Sequence, residues 1–353
     1  MAHINAGNYN VLIDEDIAIL RSYIEQIKAT KIFVIVDNNT KKHCLPYLEE
    51  NLKLNFSSIQ IQAGEEFKNL KTCSQVWNAL IQNGCDRQSL ILNLGGGVIG
   101  DMGGFIAASY MRGIPFIQMP STLLAQVDAS VGGKLGIDFL FHKNLIGLFQ
   151  DPKLVWIQTD FLNTLNLKEQ KNGFAEIIKH ALISSRSQWD ILKDKGLTLD
   201  SYDLKELILN SVEIKNKVVQ EDPFESGKRK LLNFGHSIGH AIESYYLNSD
   251  KKISHGEAVA IGMICESHIS YQKSMLPETE LKEIAHFIHS NFSDTFELTN
   301  IKEDLFSLIK KDKKNLQQKI LISTLTNISE AVYDLECSEQ EIFRSFEYYE
   351  NLY

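Results

Sequence analysis

A chain of 353 residues with 44% apolar and 23% charged content exceeds the size at which a single hydrophobic core stops growing, so two domains are expected. Its formal net charge of -9, from 36 basic and 45 acidic side chains without a basic block, argues against DNA or RNA as a partner; any anion must be bound locally. Five cysteines, at 44, 73, 85, 265 and 337 with no CxxC spacing, indicate neither a disulfide framework nor a structural zinc site and fit a reducing compartment. The opening MAHINAGNYNVLIDEDIA lacks a basic stretch followed by an apolar run, and no window of about 18 residues is apolar enough to span a bilayer. A soluble, cytoplasmic protein without a membrane partner is expected.

In chain order, KIFVIV (31–36), SSIQIQ (57–62), SLILNL (89–94) and PFIQM (115–119) read as strands separated by segments of helical periodicity. That rhythm predicts a largely parallel sheet wrapped by helices. From about residue 160 the pattern becomes helical, around 168–186, 202–220, 230–247, 255–272 and 279–291. KILISTL (319–325) and EAVYDL (330–335) read as two late strands, forming a hairpin or returning to the first sheet. The domain boundary falls near 150–160, marked by the change of period alone.

SLILNL-GGGVIGD-MGGF is a strand, a glycine cluster and a helix start, in which Gly95, Gly97 and Gly100 satisfy GxGxxG. Such a loop lets backbone approach a pyrophosphate at a helix N-terminus. By itself the motif is weak, and it follows about the third strand, whereas an ordinary Rossmann loop follows the first. Asp37, Asn38 and Asn39, at the end of KIFVIV, suit either adenosine hydroxyls or a plain helix N-cap.

NFGHSIGHAIESYY places His236 and His240 on one helix face, and ISHGEAVAIGM adds His255 at another helix start. An isolated i,i+4 pair is more readily a polar helix face, but the third histidine shifts the balance. With Glu176 from NGFAEIIKH these residues offer imidazole nitrogens and a carboxylate oxygen, a set suited to Zn²⁺ or a similar ion with an open position. Lys134, Lys143 beside Asn144, Lys179, Lys215, Arg229 and the pair Lys313 and Lys314 are candidate anion ligands if they share a pocket.

GGGVIGDMGGF, YMRG, PSTLLAQVDASVGGK, HKNLIG, GFAEIIKH, Lys215 with Val218 and Val219, RKLLNFGHSIGHAIE and HGEAVAIGM follow one another from about residue 90 to 265. In these motifs and their order the chain resembles the 3-dehydroquinate synthase family; GEEFK near 64–68 and DKK at 312–314 extend the likeness. The resemblance implies a Rossmann-like α/β NAD-binding domain over 1–158 and a mainly α-helical metal-binding domain over 159–353, with a site in the cleft between them and a homodimer. It makes Glu176, His236 and His255 the ligands of Zn or Co, and turns His240 into an acid-base or phosphate-contacting residue. NAD contacts fall on Asp37, Asn38, Asn39, Glu65, Lys68, Gly96, Gly97, Val98, Asp101, Ser121, Thr122, Lys143, Phe161, Thr164 and Asn172. Substrate contacts fall on Asp128, Lys134, Asn144, Lys179, Lys215, Arg229, Asn233 and His240, with one of Lys313 or Lys314, while Arg112 reaches a phosphate across the dimer interface.

The implied reaction is redox-neutral conversion of a sugar-acid phosphate, 3-deoxy-D-arabino-heptulosonate 7-phosphate, to 3-dehydroquinate and phosphate. His142 in place of the family's glycine, Leu135 after Lys134, and LNLKEQ without the usual Pro and Arg are departures that bear on loop geometry and cofactor affinity. A cyclase acting on a sugar phosphate without a carboxylate, a simple metal-dependent dehydrogenase and a non-catalytic binding protein are the rival readings. Persistence of Lys134, Lys215, Arg229, Asn233 and His240 favours the carboxylate-bearing substrate.

Overall fold

The structure is a computed structural model and describes residues 2–140, 142–246, 249, 251–292, 295–310 and 319–352. It divides into two compact units, Met1–Asn166 with Asp203–Asn216, and Leu167–Tyr202 with Lys217–Tyr353. The first unit thus extends past 158 and reclaims part of the helical half. Phe161 packs edge-on against Tyr47 and Trp156, and Asn216 donates to the Asn5 carbonyl at 2.9 Å.

The first unit contains β1 (Ala2–Asn5), β2 (Asn10–Ile13), α1 (Ile17–Ile27), β3 (Ile32–Val36), α2 (Asn38–His43), α3 (Leu45–Asn51), β4 (Ser57–Gln60) and α4 (Leu70–Gln82). It continues with β5 (Leu90–Gly95), α5 (Gly97–Ser109), β6 (Phe116–Pro120), β7 (Lys134–Phe139), β8 (His142–Phe149) and β9 (Leu154–Ile157). Seven strands form one sheet in the order β1-β2-β9-β6-β5-β3-β4, parallel except for the β1–β2 pair. β7 and β8 form a separate antiparallel pair.

The unbroken apolar run of β3, and that of β5 broken only by the buried Asn93, fit strands covered on both faces. Alternate residues feed two cores: Phe33, Ile35, Ile91 and Phe116 meet Val76, Leu80, Met102 and Ile106 on one face. Val34, Val36, Leu92 and Ile117 meet Leu20, Ile24, Leu45 and Leu48 on the other. Each such buried aliphatic side chain contributes about 1.5–3 kcal/mol. The glycine loop follows the fifth strand in chain order, rather than about the third, because four-residue β1 and β2 gave too short a pattern to read. β3 neighbours both β4 and β5, so strand order reverses there. The carboxyl ends of β3 and β5, carrying Asp37 and the glycine loop, are therefore side by side at a switch point of the kind where open α/β sheets bind ligands.

The second unit comprises α6 (Leu167–Ser184) and α7 (Arg186–Lys195), the end of α8 (Leu204–Glu221), α9 (His236–Tyr246), α10 (His255–Gln272), α11 (Glu278–Asn291) and α12 (Lys302–Lys310). It closes with β10 (Ile320–Asn327), β11 (Glu330–Cys337) and α13 (Glu339–Glu350). β10 and β11 pair with each other in a two-stranded sheet, which selects the hairpin over a return to the first sheet. The helix expected at 230–247 begins only at His236. Lys228–Asn233 is a 3-10 turn, and Gly235 at φ +80° interrupts the helical path. Buried residues occupy every face of α10, as expected for a central helix. Among the described residues no helix is long and apolar enough to cross a membrane, and all five cysteines are free and buried.

Candidate active site

Three helices of the second unit bring Glu176, His236 and His255 together. Glu176 lies inside α6, whereas each histidine is the first residue of its helix. α10 starts there because Ser254 caps it, with Glu257 completing the capping box. Asn172 of α6 adds a second hold, accepting the Gly256 N–H. A Cβ on Gly262 would lie 1.9 Å from the Gly235 carbonyl oxygen, so only glycine permits the approach of α10 to the start of α9.

Nε2 of His236 lies 3.3 Å and Nε2 of His255 3.5 Å from Glu176 Oε1. Four-coordinate zinc, with ligands at about 2.0–2.1 Å, has ligand–ligand edges of about 3.3 Å. Among the described residues neither carboxylate oxygen of Glu176 makes a well-aligned hydrogen bond, although Lys179 also contacts it. These side chains converge on a common point, and their N₂O donor set fits a borderline divalent cation.

The outer nitrogens are fixed as well. His236 Nδ1 is 3.1 Å from the Phe234 carbonyl oxygen, and His255 Nδ1 is 3.4 Å from Glu243 Oε2. Such outer partners orient metal-binding imidazoles. Burial works against a charged Glu176, but Lys179 and His236 hold its carboxyl well below the usual range. Burial and then Lys179 lower His236, while the Glu243 and Glu176 carboxylates overcome burial and raise His255 to about 10. His240 stands beside both, its ring centroid 5.1 Å from that of His236 and 5.9 Å from that of His255. It also belongs to a second possible ligand group with Glu243 and His255.

Elsewhere in this unit, Asp222 organises the loop that carries Arg229. Its carboxylate accepts the N–H groups of Ser226, Gly227 and Arg229 and the Ser226 hydroxyl. Burial opposes its ionisation, yet these bonds hold it at about 2. The buried Arg229 donates Nη1 to the Pro223 carbonyl at 2.6 Å, and Asn233 donates Nδ2 to Glu225 at 2.8 Å. Glu225 has φ +60°, a left-handed conformation of the kind that accumulates at functional sites.

In the first unit Asp37 accepts the Asn39 and Thr40 N–H groups as the N-cap of α2, so its helix-capping reading holds. Asn38 exchanges hydrogen bonds with Gln60 and Gln62. Gly96 precedes α5, and a Cβ there would meet Thr122 Cγ2 at 3.0 Å. No side chain among the described residues caps α5, which leaves its N-terminus suited to phosphate. Ser121 is buried beside Thr122, whose hydroxyl accepts the Ala125 N–H at 3.2 Å.

Lys68 gathers several candidates. Its ammonium lies 2.7 Å from Asp101 Oδ2, 2.6 Å from Asn144 Oδ1 and 3.9 Å from Glu65, which in turn lies 3.6 Å from Lys143. Burial works to lower Lys68, but Asp101 and Glu65 overcome it and raise it well above the ordinary lysine value. Asn144, expected at the substrate, thus touches a residue expected at the cofactor, with φ +49°. Lys215 is bound to Asp128 through its carboxylate at 2.8 Å and its carbonyl at 2.6 Å. Lys134 is exposed at the start of β7, and Arg112, at φ +68°, is exposed beside Gly113. Phe161 and Thr164 lie on the turn Thr159–Thr164, with Phe161 buried against Trp156. Lys313 and Lys314 lie outside the described residues.

Glu243, Glu225 and Asp222 were not anticipated. Glu243 had a signal, since it follows His236 by seven residues and His240 by three on one helix face. Glu225 and Asp222 sit in an irregular loop and had none.

A doubly wound sheet with a glycine loop, joined in one chain to a helical unit holding a His₂Glu cluster, defines the class. The sequence models of the 3-dehydroquinate synthase N-terminal and C-terminal domains match residues 58–172 and 173–315. The 3-dehydroquinate synthase of Parabacteroides distasonis is 38% identical over 94% of this chain and 94% of its own. The chain belongs to the 3-dehydroquinate synthase family. Among solved structures, 2-epi-5-epi-valiolone synthase from Streptomyces hygroscopicus, with NAD⁺ and Zn²⁺ bound, is 25% identical with a TM-score of 0.85 over 99% of both chains. A 2-deoxy-scyllo-inosose synthase shares the fold at 24% identity and a TM-score of 0.83, over 98% of this chain and 99% of that one.

Proposed function

We propose that this chain converts 3-deoxy-D-arabino-heptulosonate 7-phosphate to 3-dehydroquinate and phosphate, the carbon–oxygen lyase step of the shikimate pathway that leads to aromatic amino acids. The observation that carries the reading is the convergence of Glu176, His236 and His255 in a chain 38% identical to a curated enzyme of that name. NAD, by taking up and returning one hydride, and a divalent ion, Zn²⁺ or Co²⁺, by polarising the hydroxyl being oxidised, supply the redox-neutral chemistry when bound. The relative that binds NAD⁺ and Zn²⁺ supports this cofactor pair.

Glu176, His236 and His255 hold the ion, with Glu243 and the Phe234 carbonyl orienting the imidazoles. Gly96, Gly97 and Val98 receive the pyrophosphate, and Asp37, Asn38 and Asn39 the adenosine hydroxyls. Glu65, Lys68, Asp101, Ser121, Thr122, Lys143, Phe161, Thr164 and Asn172 complete the NAD contacts. Lys179, Lys215, Asn144 and His240 hold the substrate phosphate, whose own oxygen accepts the proton lost next to the transient ketone. Lys134 and Arg229 pair with the carboxylate, while Asp128 and Asn233 bind hydroxyls. Residues 1–158 supply most of the NAD contacts and 159–353 the metal ligands and most of the substrate contacts, in a cytoplasmic homodimer where Arg112 reaches the partner's phosphate.

Substrate choice tests the reading against the other cyclases. The enzyme is expected to turn over the heptulosonate phosphate and to leave a heptulose 7-phosphate lacking the carboxylate unreacted. Equal turnover of both would remove the assignment of Lys134 and Arg229.

A further inference from the structure

Glu266 is fully buried on α10, about three turns beyond His255. Its two carboxylate oxygens accept backbone N–H groups at the start of α9. Oε2 receives Gly235 at 2.6 Å and Oε1 receives Ile238 at 3.1 Å. The two donors bracket His236, the first residue of that helix. A helix start has N–H groups with no intrahelical acceptor, and a carboxylate there both accepts them and meets the positive end of the dipole.

The surroundings make this grip a gauge. A Cβ on Gly239 would lie 2.9 Å from the Ala258 carbonyl oxygen, and one on Gly235 2.8 Å from that of Val259. α9 and α10 therefore meet backbone to backbone, with Glu266 at one end of the contact and His255 at the other. One helix carries the second imidazole and also holds the turn that carries the first. Displacement of Gly235 and Ile238 would displace His236, whose Nε2 stands 3.3 Å from Glu176.

We propose that Glu266 is a positioning residue: by holding the first turn of α9 from α10, it fixes the spacing of His236 and His255 and sets the affinity and geometry of the divalent cation they bind. The inference rests on the metal reading above.

Glu266→Gln keeps the size of the side chain but replaces one of the two accepting oxygens by an NH₂ group, which then faces an N–H donor. Glu350→Gln is the control, because Glu350 accepts the Leu298 and Thr299 N–H groups at a turn without a histidine. Zn²⁺ affinity by competition with a chromogenic chelator and the visible spectrum of the Co²⁺-loaded protein read the site, and thermal unfolding reads stability. Glu266→Gln is expected to weaken Zn²⁺ binding about 10- to 100-fold, the usual effect of losing an outer partner, and to shift the Co²⁺ bands. Glu350→Gln should lower the melting temperature and leave affinity and spectrum unchanged. Wild-type affinity and an unchanged Co²⁺ spectrum in Glu266→Gln would overturn the proposal. Should that variant not fold, Glu266→Asp carries the test: a weakened site supports the role, and wild-type affinity and spectrum overturn it. His236→Ala separates the two levels. If it binds Zn²⁺ as wild type does, the metal reading fails; if it loses Zn²⁺ while Glu266→Gln retains it, only the positioning role fails.

Discussion

Lys68 in the first unit and Glu176 in the second are buried charges of opposite sign, 3% and 1% exposed. Lys68 is met by acceptors, Asp101 at 2.7 Å and Asn144 at 2.6 Å, with Glu65 at 3.9 Å. An ammonium has three donors and no lone pair, so Lys68 can hold carboxylate and amide oxygens but cannot ligate a cation. Around Glu176 the geometry differs. Its carboxylate, paired with Lys179, and the Nε2 atoms of His236 and His255 crowd together at 3.3 and 3.5 Å, yet the carboxylate has no well-aligned hydrogen bond among the described residues. The comparison teaches that burial and charge alone do not mark a metal site; convergence of lone-pair donors with their outer atoms already fixed does.

The largest expected effect breaks the first cluster. Lys68→Met leaves the partly buried Asp101 without its ammonium and should cost about 3 kcal/mol of unfolding free energy, the low end of what loss of one partner from a buried pair costs. Urea denaturation of the variant and of Lys68→Met/Asp101→Leu would check it, since removing both charges should recover most of the loss. An equally unstable double variant would mean that Lys68 acts through packing instead.

Glu243→Gln sharpens the second half of the comparison. The fold should survive, but Zn²⁺ affinity should drop about 10- to 100-fold because the His255 ring loses its carboxylate partner. Chelator competition measures this directly. An unchanged affinity would show that the 3.4 Å contact does not orient the ring.

The smallest effect concerns Asp222, whose needs are met by backbone N–H groups without a cation. Its carboxyl is held at about 2, below the ordinary 3.8, so the unfolded chain takes up the proton first. Its contribution to stability is therefore complete above about pH 4 and disappears as pH falls through 2. Asp222→Asn should be less stable than wild type at neutral pH, and the difference should shrink between pH 4 and 2. A pH-independent difference in urea midpoint would contradict this.

Much of the fold was legible because β3 is a continuous apolar run, β5 and β6 are each broken by a single amide, α6 and α11 are long and periodic, and α10 is long. β1, β2 and β9 have four residues each, too few for a period, and β8 begins with the polar HKN. At the candidate site, spacing exposed His236, His240 and His255, but His236 and His240 were indistinguishable as ligands from an i,i+4 pattern. In the structure His236 and His255 face Glu176, while His240 groups with Glu243 and His255. The roles of Glu243 and Glu266 depend on which helices pack together, information that lies in glycine contacts such as Gly235 with Gly262. Asp222 and Glu225 act through an irregular loop, where no periodicity exists to betray them.

The most direct test of the functional account is phosphate release from 3-deoxy-D-arabino-heptulosonate 7-phosphate by the purified protein with NAD⁺ and Zn²⁺ or Co²⁺, with and without chelator, while absorbance follows NADH. Chelator-sensitive phosphate release with no net NADH is the predicted result; NADH accumulation without phosphate, or no reaction, would contradict the redox-neutral cyclase.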